Sequence, residues 1–346
     1  MHCTLVPPYI LQALSRHADP AVRDAAISTL GFDKTFAVNR LIGDRSRRQA
    51  AVAAAPVAPR LHRLIHDAHG KETLPGQLVR SEGDAPGSDV AVNEAYDGLG
   101  DTWTLYEDVY HRNSIDDAGM DLSGTVHFSQ QYDNAYWDGT QMVFGDGDGV
   151  LFNRFTISVD VIGHELTHGV TGATADLAYQ NQSGALNESI SDVFGSLVKQ
   201  YALKQSAAEA DWLIGAGLLA KGVNGVALRS MKAPGTAYDD PQLGGKDPQP
   251  GDMRGYVKTT GDNGGVHTNS GVPNHAFFLA AVGLGGNAWE EAGHIWYTAL
   301  TGGDLPATAD FARFAQLTAT TAATLYGATA RKAVAEAWTG VGIPTS

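Results

Sequence analysis

Apolar positions change their spacing near Ser158, and the two halves of the chain predict different architecture. At the N-terminus, Pro7-Pro8 starts an extended stretch, after which Leu11, Leu14 and Ala18 recur at helical spacing. Asp19-Pro20 is an N-cap and first-turn pair that predicts a second helix to about Leu30, and a short apolar stretch from Phe36 to Ile42 follows. Residues Arg45 to Pro59 are first basic, then rich in Ala and Pro, which predicts an exposed linker and a candidate nicking site. From about 60 to 158, short alternating runs such as Gln77–Arg80 and Thr125–Phe128 predict strands. One helix is expected over Asp89–His111, and Gly145-Asp146-Gly147-Asp148-Gly149 reads as a turn. Beyond Ser158 the period is helical, with elements expected over 159–171, 187–203, 273–284, 288–301, 308–325 and 328–338. A strand-rich half followed by a helical half predicts an α+β fold with two lobes and a cleft between them. The expected segments are 1–50, a small helical unit and linker; 51–171, the N-terminal lobe; and 172–346, the helical C-terminal lobe.

Composition restricts the partners. Apolar residues are 43% of the 346, enough to bury a core. A formal net charge of -14 argues against nucleic acid or an anionic membrane, since phosphate binding needs surplus Lys and Arg, and leaves metal cations open as ligands. No run approaches the roughly 18 apolar residues of a membrane span. The single cysteine, Cys3, permits no internal disulfide. No basic segment followed by an apolar one opens the chain, so the expectation is a protein made without a classical signal peptide, cytoplasmic or secreted by a non-classical route.

The chemistry is concentrated in Val159-Asp160-Val161-Ile162-Gly163-His164-Glu165-Leu166-Thr167-His168. On a helix, residues four apart share a face, so His164 and His168 can reach one zinc ion at about 2.0–2.1 Å. Glu165 sits beside that position, where it can take a proton from an attacking water. Catalytic zinc takes three protein ligands and keeps one position open. The third candidate is Glu188, at the expected start of the next helix, and Asp192 lies four residues on, placed to accept the free ring N–H of a ligand histidine. No Gly-x-Ser-x-Gly elbow is present to suggest a serine nucleophile.

His164-Glu165-Leu166-Thr167-His168, with Asn187-Glu188-Ser189-Ile190-Ser191-Asp192 at this spacing, resembles the thermolysin family of metallopeptidases. The resemblance extends over about residues 60 to 346 and implies a zinc endopeptidase that cuts on the N-terminal side of large apolar residues. It implies that Asn134, Ala135 and Trp137 belong to a substrate-backbone edge, and that Arg229 holds a substrate carbonyl. Tyr179 and His267, the latter oriented by Asp262, are implied as oxyanion donors, and Phe152, Phe155, Val161 and Leu228 as the pocket after the scissile bond. The segment Cys3 to Tyr9 is similar to the short propeptide of the protealysin branch. By that likeness the chain is a latent precursor, with Pro7, Pro8 and Tyr9 inhibitory and an extended stretch around Val6–Tyr9 lying on the Asn134-Ala135 edge. The family's double calcium site is expected to be missing. Asp160 and Asp211 keep carboxylates, but the other matching positions are Lys199, Leu213 and Ala216, and calcium needs six to eight oxygen ligands. The rival readings are a catalytically inactive zinc-binding relative, against which Glu165 stands, and a zinc hydrolase of non-peptide substrates, against which the apolar pocket stands.

Overall fold

A computed structural model describes residues 4–50 and 58–345. Two helices come first, α1 (Pro8–Leu14) and α2 (Pro20–Ala50). The Asp19 carboxylate caps α2 by accepting the Ala21 N–H at 2.9 Å. The second helix is longer than expected, running through Gly31 and on through Arg45–Ala50, the first part of the expected linker. Gly31 faces open space, where a missing side chain costs only propensity. Arg, Gln and Ala are strong helix formers, so the composition that suggested a linker favours helix instead. The next residues of that expected linker, 51–57, lie outside the described residues, as does Cys3.

Strands β1 (Arg63–Asp67), β2 (Gln77–Ser81), β3 (Leu122–Val126), β4 (Ala135–Trp137) and β5 (Met142–Phe144) form one mixed sheet in the order β2-β1-β3-β5-β4. The β1–β3 and β3–β5 pairs are parallel, while β1–β2 and β4–β5 are antiparallel. Helix α3 (Val90–Tyr110), capped by Asp89, makes the crossover from β2 to β3 and packs on the sheet. The run from Thr125 to Phe128 leaves the strand after Val126, because His127 turns with φ 55°. Strand β4 is one of the two outer strands of the sheet, and its Ala135 carbonyl accepts from an extended chain beside it.

The helical half is built on α4 (Val159–Ala173) and α5 (Asn181–Leu203). Gly195 sits where they cross, and a Cβ there would overlap the Asp160 carbonyl oxygen, so only glycine lets the backbones approach this closely. Helix α5 begins at Asn181 rather than at 187, which puts Glu188 about two turns inside it. Its first turn holds Ser183 and Gly184, poor helix formers whose propensity is overridden by packing, since Gly184 lies against Val266 and the Tyr179 backbone. The short strands β6 (Leu213–Ile214) and β7 (Arg229–Ser230) pair beside α5. Helices α6 (Asp262–Asn269), α7 (Gly271–Leu284), α8 (Glu291–Thr301), α9 (Phe311–Tyr326) and α10 (Ala328–Gly340) complete the lobe. Its core includes Trp296 and Trp338, stacked at 6.1 Å. Among the described residues, no helix is long and apolar enough to cross a membrane.

Candidate metal centre

The close crossing of α4 and α5 brings His164, His168 and Glu188 together, all three buried. The two Nε2 atoms are 3.1 Å apart, and the Glu188 oxygens lie 3.6 Å from His164 Nε2 and 3.5 Å from His168 Nε2. A ring nitrogen facing an acceptor oxygen must donate to it, and both Nδ1 atoms face acceptors. His164 Nδ1–H donates to Asp192 Oδ1 at 2.8 Å, and His168 Nδ1–H to Asn187 Oδ1 at 2.7 Å. The Asn187 amide is oriented by its own bond to the Leu177 carbonyl at 3.3 Å. In neutral imidazoles this leaves two Nε2 lone pairs and a carboxylate converging on one buried point, an arrangement that fits a cation. Ligands at about 2.0–2.1 Å in a tetrahedron stand about 3.3 Å apart, which the separations here match. These three residues could hold a metal ion.

Asp192 joins this centre to the wall of the cleft. Besides His164, it accepts Arg229 Nε and Nη2, each at 2.8 Å, and Asn274 Nδ2 at 2.8 Å. Burial alone would raise the Asp192 carboxyl, but the Arg229 guanidinium and His164 outweigh it and hold it well below the usual carboxylate range. Glu165 is buried one residue past His164, and its Oε2 accepts the Trp137 N–H at 3.1 Å. Tyr179 donates its hydroxyl to Glu188 Oε1 and stands 3.2 Å from His267 Nε2.

His267 lies in α6, buried. Asp262, Asn263, Gly264 and Gly265 all take positive φ before it, the conformation that Asn and Gly tolerate best. That reversal lets Asp262 accept both the His267 N–H at 2.9 Å and Nδ1–H at 2.6 Å. Burial alone would lower the imidazole, but the Asp262 and Glu188 carboxylates together lift it to about 9. A cation on Glu188 would offset part of that lift.

Phe152, Phe155, Val161 and Leu228 are all buried, the two phenyl rings 5.8 Å apart. Asn134, Ala135 and Trp137 lie at or in β4, and an extended stretch of the chain itself runs beside them. Leu5 N–H donates to the Ala135 carbonyl at 3.3 Å and Val6 N–H to Asn134 Oδ1 at 2.9 Å. Thr4 and Leu5 carbonyls accept from His267 Nε2 and Arg229 Nη1, each at 3.1 Å. The extended stretch is therefore Thr4–Val6, not Val6–Tyr9. Pro8 and Tyr9 already belong to α1, because proline fits the first turn of a helix. Missed from the sequence were Asn187, although adjacent to Glu188, and Asn274, two helical turns past His267. Asp33 was missed as well. Its carboxylate accepts from Tyr132 OH at 2.7 Å and Asn134 Nδ2 at 3.0 Å, and Thr29 of the same helix accepts the Asp133 N–H at 3.1 Å.

A fold of this kind around a two-histidine, one-glutamate centre defines a metallopeptidase, and comparison with known proteins gives its family. Residues 46–172 match the thermolysin metallopeptidase catalytic domain and residues 175–343 the thermolysin metallopeptidase alpha-helical domain. The chain belongs to the thermolysin family. It is 51% identical over 341 residues to an extracellular metalloprotease of Pectobacterium carotovorum subsp. carotovorum, covering 99% of this chain and 96% of that one. It is 45% identical over 291 residues to an extracellular minor metalloprotease of Serratia marcescens, covering 83% and 79%. Among solved structures, the precursor of protealysin, a metalloproteinase from Serratia proteamaculans, matches with a TM-score of 0.90 and 51% identity over 99% of each chain. The protein is thus a zinc-dependent neutral endopeptidase made as a precursor. The expectation of a cytoplasmic or non-classically secreted chain is corrected by these relatives, two of which carry extracellular names. The hydropathy of the first residues was a poor guide to destination.

Proposed function

We propose that His164, His168 and Glu188 hold one zinc ion and that Glu165 is the general base of peptide hydrolysis. The supporting observation is the convergence of two imidazole Nε2 atoms and a carboxylate on one buried point, with Glu165 beside them and anchored to Trp137. When bound, the zinc supplies Lewis acidity to the attacking water and the substrate carbonyl. Glu165 accepts the water's proton and delivers it to the leaving amine. Tyr179 and His267 donate to the developing oxyanion, and Asp262 holds the His267 ring in register. Asn134, Ala135 and Trp137 would grip an extended substrate along β4, while Arg229, braced by Asp192, holds the carbonyl after the scissile bond. Phe152, Phe155, Val161 and Leu228 would form an apolar pocket there, which favours cleavage on the N-terminal side of a large apolar residue.

Residues 1–50 act as the inhibitory unit, 51–171 as the lobe carrying the zinc helix and 172–346 as the helical lobe. Thr4–Val6 occupies the cleft and keeps substrate out, with Pro7, Pro8 and Tyr9 leading into the docked helices. The double calcium site is absent. Lys199 Nζ stands 2.9 Å from Asp160 Oδ2, 2.9 Å from Asp211 Oδ1 and 3.0 Å from the Leu213 carbonyl, so an ammonium takes the charge that calcium would bring. The enzyme acts outside the cell, as its relatives' names state of them. Hydrolysis of an apolar test peptide by enzyme trimmed of its first residues should stop with 1,10-phenanthroline and return with added zinc. Activity unaffected by the chelator would rule the reading out.

A further inference from the structure

The hydrogen bonds around Thr4, Leu5 and Val6 specify a direction and a register for the chain in the cleft. Two successive carbonyls are held by different groups, Thr4 O by His267 Nε2 and Leu5 O by Arg229 Nη1, both at 3.1 Å. His267 Nε2 is also 3.2 Å from the Tyr179 hydroxyl, so the Thr4 carbonyl lies at the pair proposed to stabilise the oxyanion. Between the two carbonyls, Leu5 N–H points at the Ala135 carbonyl and its apolar side chain is fully buried. Val6 N–H then meets Asn134 Oδ1 at 2.9 Å. A mere plug would need only to fill space. Here four backbone groups of the segment, Thr4 O, Leu5 N–H, Leu5 O and Val6 N–H, meet the groups that would hold the matching parts of a substrate running in the productive direction.

We infer that the precursor presents its own Thr4–Leu5 peptide bond as a substrate and cleaves it in cis. This rests on reading residues 1–50 as the inhibitory unit. Water adds its oxygen to the Thr4 carbonyl carbon, and its proton passes to Glu165. The C–N bond to Leu5 then breaks as Glu165 returns that proton to the Leu5 nitrogen, and Glu165 relays the second water proton from the new carboxyl group to the same nitrogen, leaving a carboxylate on Thr4 and an ammonium on Leu5. Leu5 is the residue after the scissile bond, and its apolar side chain suits the proposed specificity. The new amine stays in the cleft because α1 and α2 keep the following residues anchored, Tyr132 and Asn134 through Asp33 among the contacts. Latency therefore outlasts this first cut, and the segment acts as a product held in place.

The test follows zinc-loaded full-length chain over time by intact mass and N-terminal sequencing, with an apolar test peptide added in parallel. Wild type should yield a chain beginning at Leu5. Glu165→Gln should form it at least about 10³-fold more slowly, and Leu5→Asp should not form it at all. If the test peptide is hydrolysed while no chain ever begins at Leu5, or the cut falls at Leu5–Val6, the inference is overturned and the function stands. A Leu5 terminus appearing equally in Glu165→Gln also overturns it. If neither chain nor peptide is cut as latency is relieved, the reading beneath it fails.

Discussion

Two positions along the α4–α5 pair collect buried charge, and they differ in where the positive partner comes from. At one, two imidazole nitrogens and the Glu188 carboxylate converge on one point, with Glu165 beside them and His267 Nε2 3.6 Å from Glu188 on the cleft side. At the other, the carboxylates of Asp160 and Asp211 meet the ammonium of Lys199. Asp160 is fully buried; its Oδ1 is satisfied by Ser158 and Gly215, and Oδ2 by Lys199. Burial alone would lower the Lys199 amine, but Asp160 and Asp211 raise it, so it keeps its charge. The difference separates a job that needs an exchangeable cation with an open coordination position from one that needs only neutralisation. A lysine serves the second and cannot serve the first.

Removing a ligand should produce the largest effect. Glu188→Ala leaves two imidazoles and no charge, and zinc affinity should fall by more than the 10- to 100-fold that loss of an outer partner such as Asp192 costs. Metal content after dialysis and peptide hydrolysis measure it together, and retention of stoichiometric zinc would exclude Glu188 as a ligand. Lys199→Met tests the other position. It strands the Asp160 carboxylate and should cost about 3 kcal/mol in denaturant unfolding while zinc content holds. A loss below about 1 kcal/mol would mean that the ammonium neutralises nothing of consequence.

The interface of α2 with the β3–β4 connection predicts a smaller, pH-dependent effect. Burial raises Asp33 to about 7, partly opposed by the Tyr132 and Asn134 hydrogen bonds and by His267. Burial and the neighbouring Asp148 raise Asp133 to about 8. Asp33, carried by α2, binds a proton more tightly docked than free, so docking weakens as pH rises from about 4 through 7 and levels off above, whereas Asp133 and Asp148 belong to the same lobe and stay together on undocking. The Asp33 carboxyl contributes up to about tenfold per pH unit within that window. Binding of a fluorescent apolar peptide to the Glu165→Gln precursor should accordingly increase from pH 5 to 8, and Asp33→Asn should flatten that increase. A profile that Asp33→Asn leaves unchanged would sink this prediction. The smallest expected effect is that of calcium. Saturation at a hundred times a dissociation constant would add about 2.7 kcal/mol to stability, and none is expected. A rise in melting midpoint of several degrees at sub-millimolar calcium would show that a site survives despite Lys199.

The metal centre was legible because its parts obey local geometry. His164 and His168 are one helical turn apart, and Glu188 and Asp192 repeat that spacing on the next helix. The two-lobed plan was legible for the same reason, as a change of period near Ser158. What escaped depends on the whole fold. The start of α5 at Asn181 is decided by packing of Gly184, not by the propensity of its first turn. Strands β4 and β5 have three residues each, too short to show an alternation. Asp33 lies past the expected end of the second helix at about Leu30, with no local pattern to mark it, and only docking on Tyr132 and Asn134 makes it a buried acid. Lys199 stands between these cases, since the sequence set it at a matching position of the calcium site with Asp160 and Asp211, and the folded chain places its ammonium 2.9 Å from each carboxylate.

The most direct test of the account is metal content and peptide hydrolysis measured on the same preparation of Glu165→Gln enzyme. The account predicts close to one zinc per chain with hydrolysis reduced at least about 10³-fold, because Glu165 moves a proton and does not ligate. Zinc lost in step with activity, or activity surviving the substitution, would contradict it.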